Sequence, residues 1–158
     1  MTTEFPEDHP LRVVFDTNVL LSMFVFADSR FAPLRAEVDA GRWLAYTRPD
    51  CLEEFRRVLD YAMFKLEPER QLAAFEAYAA IARQPESDPP EQPAVLPKCK
   101  DKDDQKFLEL ARDIGADWLV SSDKALLKLN RKLIGRYRVL KPEQAMKELL
   151  AAELPKLS

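Results

Sequence analysis

The sequence predicts an α/β fold, a three-layer sandwich in which helices flank a central parallel sheet of about four or five strands. Short apolar runs rich in β-branched residues alternate with stretches of helical periodicity, and 158 residues suit one domain. Strands that alternate with helices form parallel sheets through right-handed crossovers. We expect a flexible leader over residues 1–10, a single domain over 11–152 and a tail over 153–158.

The first half of the chain predicts two strands and four helices. LRVVF, Leu11 to Phe15, is a short, mostly apolar run rich in β-branched residues, as expected of a strand that is covered on both faces. The following elements are a helix after Asp16, a helix over 31–40 before Gly41, a strand over 43–47, and helices that start near Pro49 and Pro68.

The second half begins with a change of composition. Residues 85–98 contain five prolines and no periodicity, which predicts a loop. A helix over 103–114 follows, with Gly115 at its C-terminal end. The remaining elements are a strand over 118–121, a short helix over 124–129, a strand over 137–140 and a helix from Pro142 to about 150.

Composition restricts the chemistry. His9 is the only histidine, and Cys51 and Cys99 are the only cysteines, so a histidine-rich metal site, a zinc site and a disulfide framework are disfavoured. The chain has neither an apolar run of membrane-spanning length nor a secretory signal, which predicts a cytoplasmic protein without a membrane partner. Any enzyme chemistry must therefore depend mostly on carboxylates.

Charge is unevenly distributed along the chain. The formal net charge is −3, yet residues 128–141 carry six basic side chains and no acidic one. This basic stretch is either a solvated surface or a surface that faces RNA, and Arg131 and Lys132 are its candidate substrate contacts. Lys124, directly after Asp123, is a further candidate for a phosphate contact.

Four carboxylates fall where the predicted strands and helices meet. Asp16 and Asp123 each follow a strand, and parallel strands place such residues at one edge of the sheet. Glu54 and Asp104 lie in the first turns of two helices. Simple alternatives exist for all four: Asp16 and Asp123 could be N-caps, and Asp104 and Glu54 could be first-turn helix acids. Glu54 could also pair with Arg56 or Arg57.

Gathering like charges is costly unless cations neutralise them. Three or four carboxylates can do this by binding Mg²⁺ or Mn²⁺. Two such ions about 3.5–4 Å apart can promote phosphodiester hydrolysis without histidine. The composition and the predicted positions of the acids are consistent with this chemistry.

Several segments resemble the PIN-domain family of metal-dependent ribonucleases. These are VVFDTNVLLS, CLEEFRRVL and DKDDQKFLELARDIGADWLVSSDKALL, together with the spacing between them. The resemblance covers about residues 11–141 and is greatest to a bacterial branch of toxin components of toxin–antitoxin pairs, related to VapC-type toxins. It implies a PIN-like fold, ribonuclease activity and a requirement for Mg²⁺ or Mn²⁺.

The resemblance also implies roles for individual residues. Asp16, Glu54, Asp104 and Asp123 match the family's acidic quartet, with metal held mainly by Asp16, Asp104 and Asp123. Glu54 is preferred to Glu53, and Asp104 to Asp101 and Asp103, because of the family's spacing. One position departs from the pattern: Ala125 stands where relatives often carry another acid, which leaves one or two metals open. The supporting polar residues are Asn18 and Ser121.

The leading functional hypothesis is a metal-dependent endoribonuclease, the toxin component of a toxin–antitoxin pair. RNA, a cognate antitoxin protein and a second copy of the chain in a homodimer are the expected partners. The alternative is a catalytically weak PIN-like module that binds RNA or protein, which the alanine at position 125 keeps open. A response-regulator receiver is disfavoured because the order of its acidic residues along the chain differs.

Overall fold

A computed structural model describes residues 10–26, 29–133 and 136–153 of the chain. Residues 1–9 of the predicted leader, His9 among them, and most of the predicted tail lie outside these ranges. The strands are β1 (Leu11–Phe15), β2 (Trp43–Ala45), β3 (Trp118–Val120) and β4 (Arg138–Leu140). The α-helices are α1 (Thr17–Phe24), α2 (Ala32–Asp39), α3 (Pro49–Leu59), α4 (Pro68–Ile81), α5 (Gln105–Ile114), α6 (Lys124–Leu127) and α7 (Pro142–Glu153).

The four strands form one parallel sheet in the order β2-β1-β3-β4. Val13 of β1 pairs with Ala45 of β2, and Phe15 of β1 pairs with Val120 of β3. The predicted α/β fold with a parallel sheet is therefore confirmed. Because all the strands run in the same direction, their carboxyl ends lie along a single edge of the sheet.

Two apolar clusters cover the two faces of the sheet. Val13 and Phe15 belong to a cluster that includes buried residues of α1, α2, α3, α4 and α7. Val14, between them, packs instead with buried residues of α5 and α6. This alternation follows the two-residue period of a strand, and it explains why LRVVF is apolar at every position but one. The result is the predicted three-layer arrangement.

Helix ends agree with the sequence signals in most places. Proline is the first residue of α3, α4 and α7, where its missing N–H removes no hydrogen bond. The helix predicted over 103–114 instead begins as a 3-10 turn over Lys102–Asp104 and becomes α-helical at Gln105. No helix in the described part of the chain is both long and apolar enough to cross a membrane.

The proline-rich segment over 85–98 contains neither helix nor strand. Side chains of the α5 region attach it to the domain. Arg112 donates to the carbonyl oxygen of Ala94 at 3.2 Å, and Gln105 donates to that of Pro97 at 3.1 Å. The predicted loop is therefore held against the helix that follows it.

The end of α5 yields a test of the fold. Gly115 has a left-handed backbone (φ +64°), and a Cβ added there would meet no atom within 4 Å. The Gly115→Ala variant should therefore lose about 1 kcal/mol of unfolding free energy through backbone strain alone. Urea denaturation measures this loss, and Gly115→Asn should lose less because asparagine tolerates the left-handed region better. An alanine variant as stable as the wild type would contradict the assignment.

Candidate metal centre

The adjacent strands β1 and β3 bring two acids to the carboxyl edge of the sheet. Asp16 follows β1 directly, and its backbone N–H donates to the carbonyl oxygen of Val120 at 3.1 Å. Asp123 lies three residues beyond Val120 and is the N-cap of α6. Because β1 and β3 are neighbours, the predicted strand-end positions of Asp16 and Asp123 lie at adjacent points of this edge.

Asp16 is buried, and both of its carboxylate oxygens accept hydrogen bonds. Oδ1 accepts from the backbone N–H of Val19 at 3.0 Å, so Asp16 is the N-cap of α1. Oδ2 accepts from the hydroxyl of Ser121. Burial raises the pKa of Asp16 to about 6, although these two hydrogen bonds favour the charged form and oppose the shift. The capping alternative thus holds, and the side chain still faces the acidic site.

Ser121 connects the ends of the two strands. Its hydroxyl donates to Asp16, and its oxygen accepts from the backbone N–H of Asp123 at 2.9 Å. Ser121 itself is fully buried. Asp123 caps α6 by accepting from the backbone N–H of Ala125 at 2.7 Å. A serine at this position therefore orients both acids, which is the supporting role that the resemblance implies.

Asp104 brings the third acid to this edge from the 3-10 turn before α5. Asp101, Asp104 and Asp123 each have an oxygen within 4.8 Å of the other two. The Oδ2 atom of Asp104 is buried and accepts no hydrogen bond from the part of the chain that the structure describes. A buried carboxylate oxygen without a donor costs free energy, and a bound cation would remove that cost.

Electrostatic repulsion is concentrated on Asp104 and Asp123. Burial and the neighbouring carboxylate of Asp123 raise the pKa of Asp104 to about 8, whereas the contact with Asp104 lowers the pKa of Asp123. A hydrogen bond between two carboxyl groups requires that they share one proton. Without a cation, the pair therefore retains a proton at a pH where isolated aspartates are ionised.

The donor set fits a hard divalent cation. Mg²⁺ and Mn²⁺ prefer carboxylate oxygens, and a dication placed among these acids would replace the shared proton and satisfy the orphaned oxygen of Asp104. The chain offers Asp101, Asp104 and Asp123 as the nearest ligands, with Asp16 at the same edge. Asp101 is exposed, so it supplies the solvent side of the cluster.

Glu54 reaches the same cavity but is already engaged. Its Oε1 accepts from the ammonium group of Lys106 at 2.5 Å, and its Oε2 accepts from the hydroxyl of Thr17. The side chains of Lys106 and Glu54 are 15% and 13% exposed. The alternative in which Glu54 pairs with Arg56 or Arg57 is wrong, because the ion-pair partner of Glu54 is Lys106. Arg56 instead binds Glu53 on the exposed face of α3.

The other predicted site residues lie at different places. Asn18 is exposed and lines the acidic cavity, and Lys124 is exposed beside Asp123. Lys132 is exposed on the 3-10 helix Lys128–Leu133. Arg131, on that helix, lines a cavity of about 630 Å³ that includes the first residue of each of β1, β3 and β4. That cavity lies at the amino end of the sheet, so the structure does not bring Arg131 to the acids.

The acidic cavity has a volume of about 270 Å³ and is lined by both acidic and apolar side chains. The acids are Asp16, Glu54, Asp104 and Asp123. Among the other lining residues, Met63 is 75% exposed and Tyr61 is 44% exposed. The rings of Tyr61 and Phe64 are nearly parallel, with centroids 6.4 Å apart. We call Tyr61, Met63 and Phe64 the apolar patch.

Comparison with known families agrees with this geometry. The sequence model described as PIN domain matches residues 12–125, which is most of the chain. The chain belongs to the PIN-domain family. No curated protein and no solved structure matches it significantly. PIN domains are generally nucleases and typically use a divalent metal. The acidic cluster of this PIN domain agrees with that family property.

Two residues of this PIN domain were not identified from sequence. The family's spacing favours Asp104 over Asp101, yet Asp101 lies three residues before Asp104 and its carboxylate joins the cluster. That i, i+3 spacing was an available signal. Lys106 carried no signal of its own, because its partner Glu54 is 52 residues away in the chain.

Replacing Asp104 should separate stability from metal binding. Asp104→Asn removes the repelled charge at the same size, so the metal-free variant should gain roughly 1–3 kcal/mol of unfolding free energy at pH 9. Mn²⁺ should then no longer raise its melting temperature. Thermal melts with and without Mn²⁺ measure both effects. The matched control, Asp103→Asn, removes an exposed acid one residue away and should change neither. Equal Mn²⁺ stabilisation of wild type and Asp104→Asn would contradict the assignment.

The pH dependence follows from the raised pKa of Asp104. Between about pH 8 and pH 4, folded Asp104 binds a proton that the unfolded chain does not, so this group contributes more stability as the pH falls. Above pH 8 this contribution is absent. Mn²⁺ competes with the same proton, so its apparent affinity should weaken as the pH falls below 8. Calorimetric titration at pH 6.5 and 8.5 measures the change, and equal affinities would disagree with this description.

Proposed function

We propose that this PIN domain is a Mg²⁺- or Mn²⁺-dependent endoribonuclease. The observation that carries the proposal is the buried, unpartnered Oδ2 of Asp104 within a group of three carboxylates at the carboxyl edge of the sheet. Such a group retains stability and full charge only when a cation neutralises it. Family membership supports nuclease chemistry at this place.

The bound cation would supply Lewis-acid stabilisation of the phosphodiester and a water of lowered pKa. The chain's own residues hold the site in shape. Asp101, Asp104 and Asp123 offer the nearest oxygen ligands, and Asp16 completes the edge while capping α1. Ser121 maintains the spacing of Asp16 and Asp123 through its two hydrogen bonds. Glu54 and Asn18 border the space in which a substrate phosphate would lie.

The apolar patch favours RNA with unpaired bases as the substrate. It lines the same cavity as the acids, and Tyr61 and Met63 are exposed although they are apolar. Stacking of a base on an aromatic ring contributes about 1–3 kcal/mol and requires no particular sequence. A double helix keeps its bases stacked inside, so only the unpaired bases of a single strand or a loop can stack on the apolar patch.

A role as the toxin of a toxin–antitoxin pair extends the proposal to the cell. The resemblance to VapC-type toxins supports it, and with it a cytoplasmic location, a cognate antitoxin and a homodimer. An antitoxin that covers the acidic cavity would inhibit cleavage by excluding RNA. Coexpression with the product of a neighbouring small gene, followed by copurification, tests the pairing. Light scattering tests the dimer.

A catalytically weak PIN-like binding module is the second candidate. Two features favour it: Ala125 stands where relatives often carry an acid, and both oxygens of Glu54 are occupied by Thr17 and Lys106. A protein of this kind would bind Mn²⁺ and RNA without cleaving RNA. The same experiment separates the two candidates.

Cleavage of an RNA panel tests the proposed function. The panel contains a single strand, a hairpin, a full duplex and a DNA strand of equal sequence, each with Mn²⁺, Mg²⁺ or EDTA. We expect cleavage of the single strand and the hairpin loop, none in EDTA, and a loss of about 100-fold or more in Asp104→Asn. Asp103→Asn should cleave normally. Metal binding without cleavage would favour the binding module, and equal cleavage of DNA would refute the assignment to RNA.

A further inference from the structure

The ion pair between Lys106 and Glu54 places a positive charge beside an acid of the acidic cavity. It joins α3 to the first turn of α5, and both side chains are mostly buried. The ammonium group donates to Glu54 Oε1 at 2.5 Å and to the backbone carbonyl of Asp103. Lys106 thereby contacts an acid of the cavity and a residue that borders the metal cluster.

Local rules argue against a lysine at this position. The first turn of a helix has a partial positive charge, which disfavours a cation. Lysine also loses side-chain entropy when it is ordered, and it is rarely buried without an anionic partner. A tertiary interaction must therefore account for Lys106, and Glu54 is the acid that it contacts.

Glu54 is held in place on both sides. Thr17, which donates to its second oxygen, directly follows Asp16, so the carboxylate of Glu54 lies close to the end of β1. A divalent ion between Asp16 and Glu54 would have to displace the ammonium or lie beside it. The first breaks a mostly buried charge-assisted hydrogen bond, and the second brings like charges together.

We infer that Lys106 is a built-in cation that neutralises Glu54 and limits this site to one divalent ion, held on the side of Asp101, Asp104 and Asp123. The inference rests on the proposed metal-dependent function and adds a positioning residue to it. Glu54 then acts through Lys106 and Thr17 rather than as a metal ligand. The single ion neutralises the acids around Asp104, and the ammonium group of Lys106 neutralises Glu54.

Mn²⁺ stoichiometry tests the inference without reference to activity. Calorimetry counts the bound ions, and electron paramagnetic resonance distinguishes a lone Mn²⁺ from a coupled pair. The wild type should bind one ion and give an uncoupled spectrum. Lys106→Met should bind two ions and give a coupled spectrum, because Glu54 has lost its cation. At Mn²⁺ concentrations about tenfold above those that fill this second site, the wild type should still bind one ion. Adding Glu54→Gln to Lys106→Met should restore one ion.

Three further variants distinguish the effects of charge, hydrogen bonding and folding on the number of bound ions. Lys106→Arg keeps the charge and should bind one ion. Lys102→Met removes an exposed lysine near the same acids, and it should also bind one ion. If Lys106→Met does not fold, Lys106→Gln retains a donor for Glu54 without the charge and should bind two ions. Circular dichroism checks the fold of each variant.

The outcomes distinguish this inference from the proposed function. Two ions in the wild type, or one ion in both Lys106→Met and Lys106→Gln, would overturn the role of Lys106 while leaving metal-dependent cleavage intact. One ion in the wild type and two in Lys106→Met, with no RNA cleaved, would support Lys106 and refute the nuclease. No Mn²⁺ binding at all would refute both.

Discussion

The parallel pairing of β1 with β3 is the interaction on which the rest of the site depends. It places the residue after Phe15 beside the residues after Val120, so Asp16, Ser121 and Asp123 meet without any long side chain having to reach across. The hydroxyl of Ser121 then fixes the spacing, because it bonds Asp16 and accepts from the backbone of Asp123. Both contacts are short-range, so a slip of one residue between the strands would remove them.

Electrostatic repulsion is the cost of this arrangement. The buried Oδ2 of Asp104 has no partner among the described residues, and the raised pKa of Asp104 shows that the fold disfavours its charge. An apolar or amide side chain would be more stable at that position in the absence of metal. Functional sites commonly retain such unfavourable groups because a ligand satisfies them.

The charges of Asp16 and Glu54 are stabilised in two different ways. Asp16 is stabilised by hydrogen bonds from Ser121 and Val19, and Glu54 by the ammonium of Lys106 and the hydroxyl of Thr17. The cluster around Asp104 has no internal cation comparable to Lys106 among the described residues. This difference is the physical reason to expect an external cation at one place and an internal cation at the other.

The sequence by itself determined the α/β fold, the parallel sheet and the strand-end positions of Asp16 and Asp123. It did so because strand periodicity, prolines at helix starts and Gly115 at a helix end are local signals. Only the tertiary structure decided that Asp101 joins the cluster, that Glu54 pairs with Lys106 rather than Arg56, and that Arg131 lies at the opposite edge. These depend on distances between segments far apart in the chain, and pairing across 52 residues leaves no mark in local periodicity.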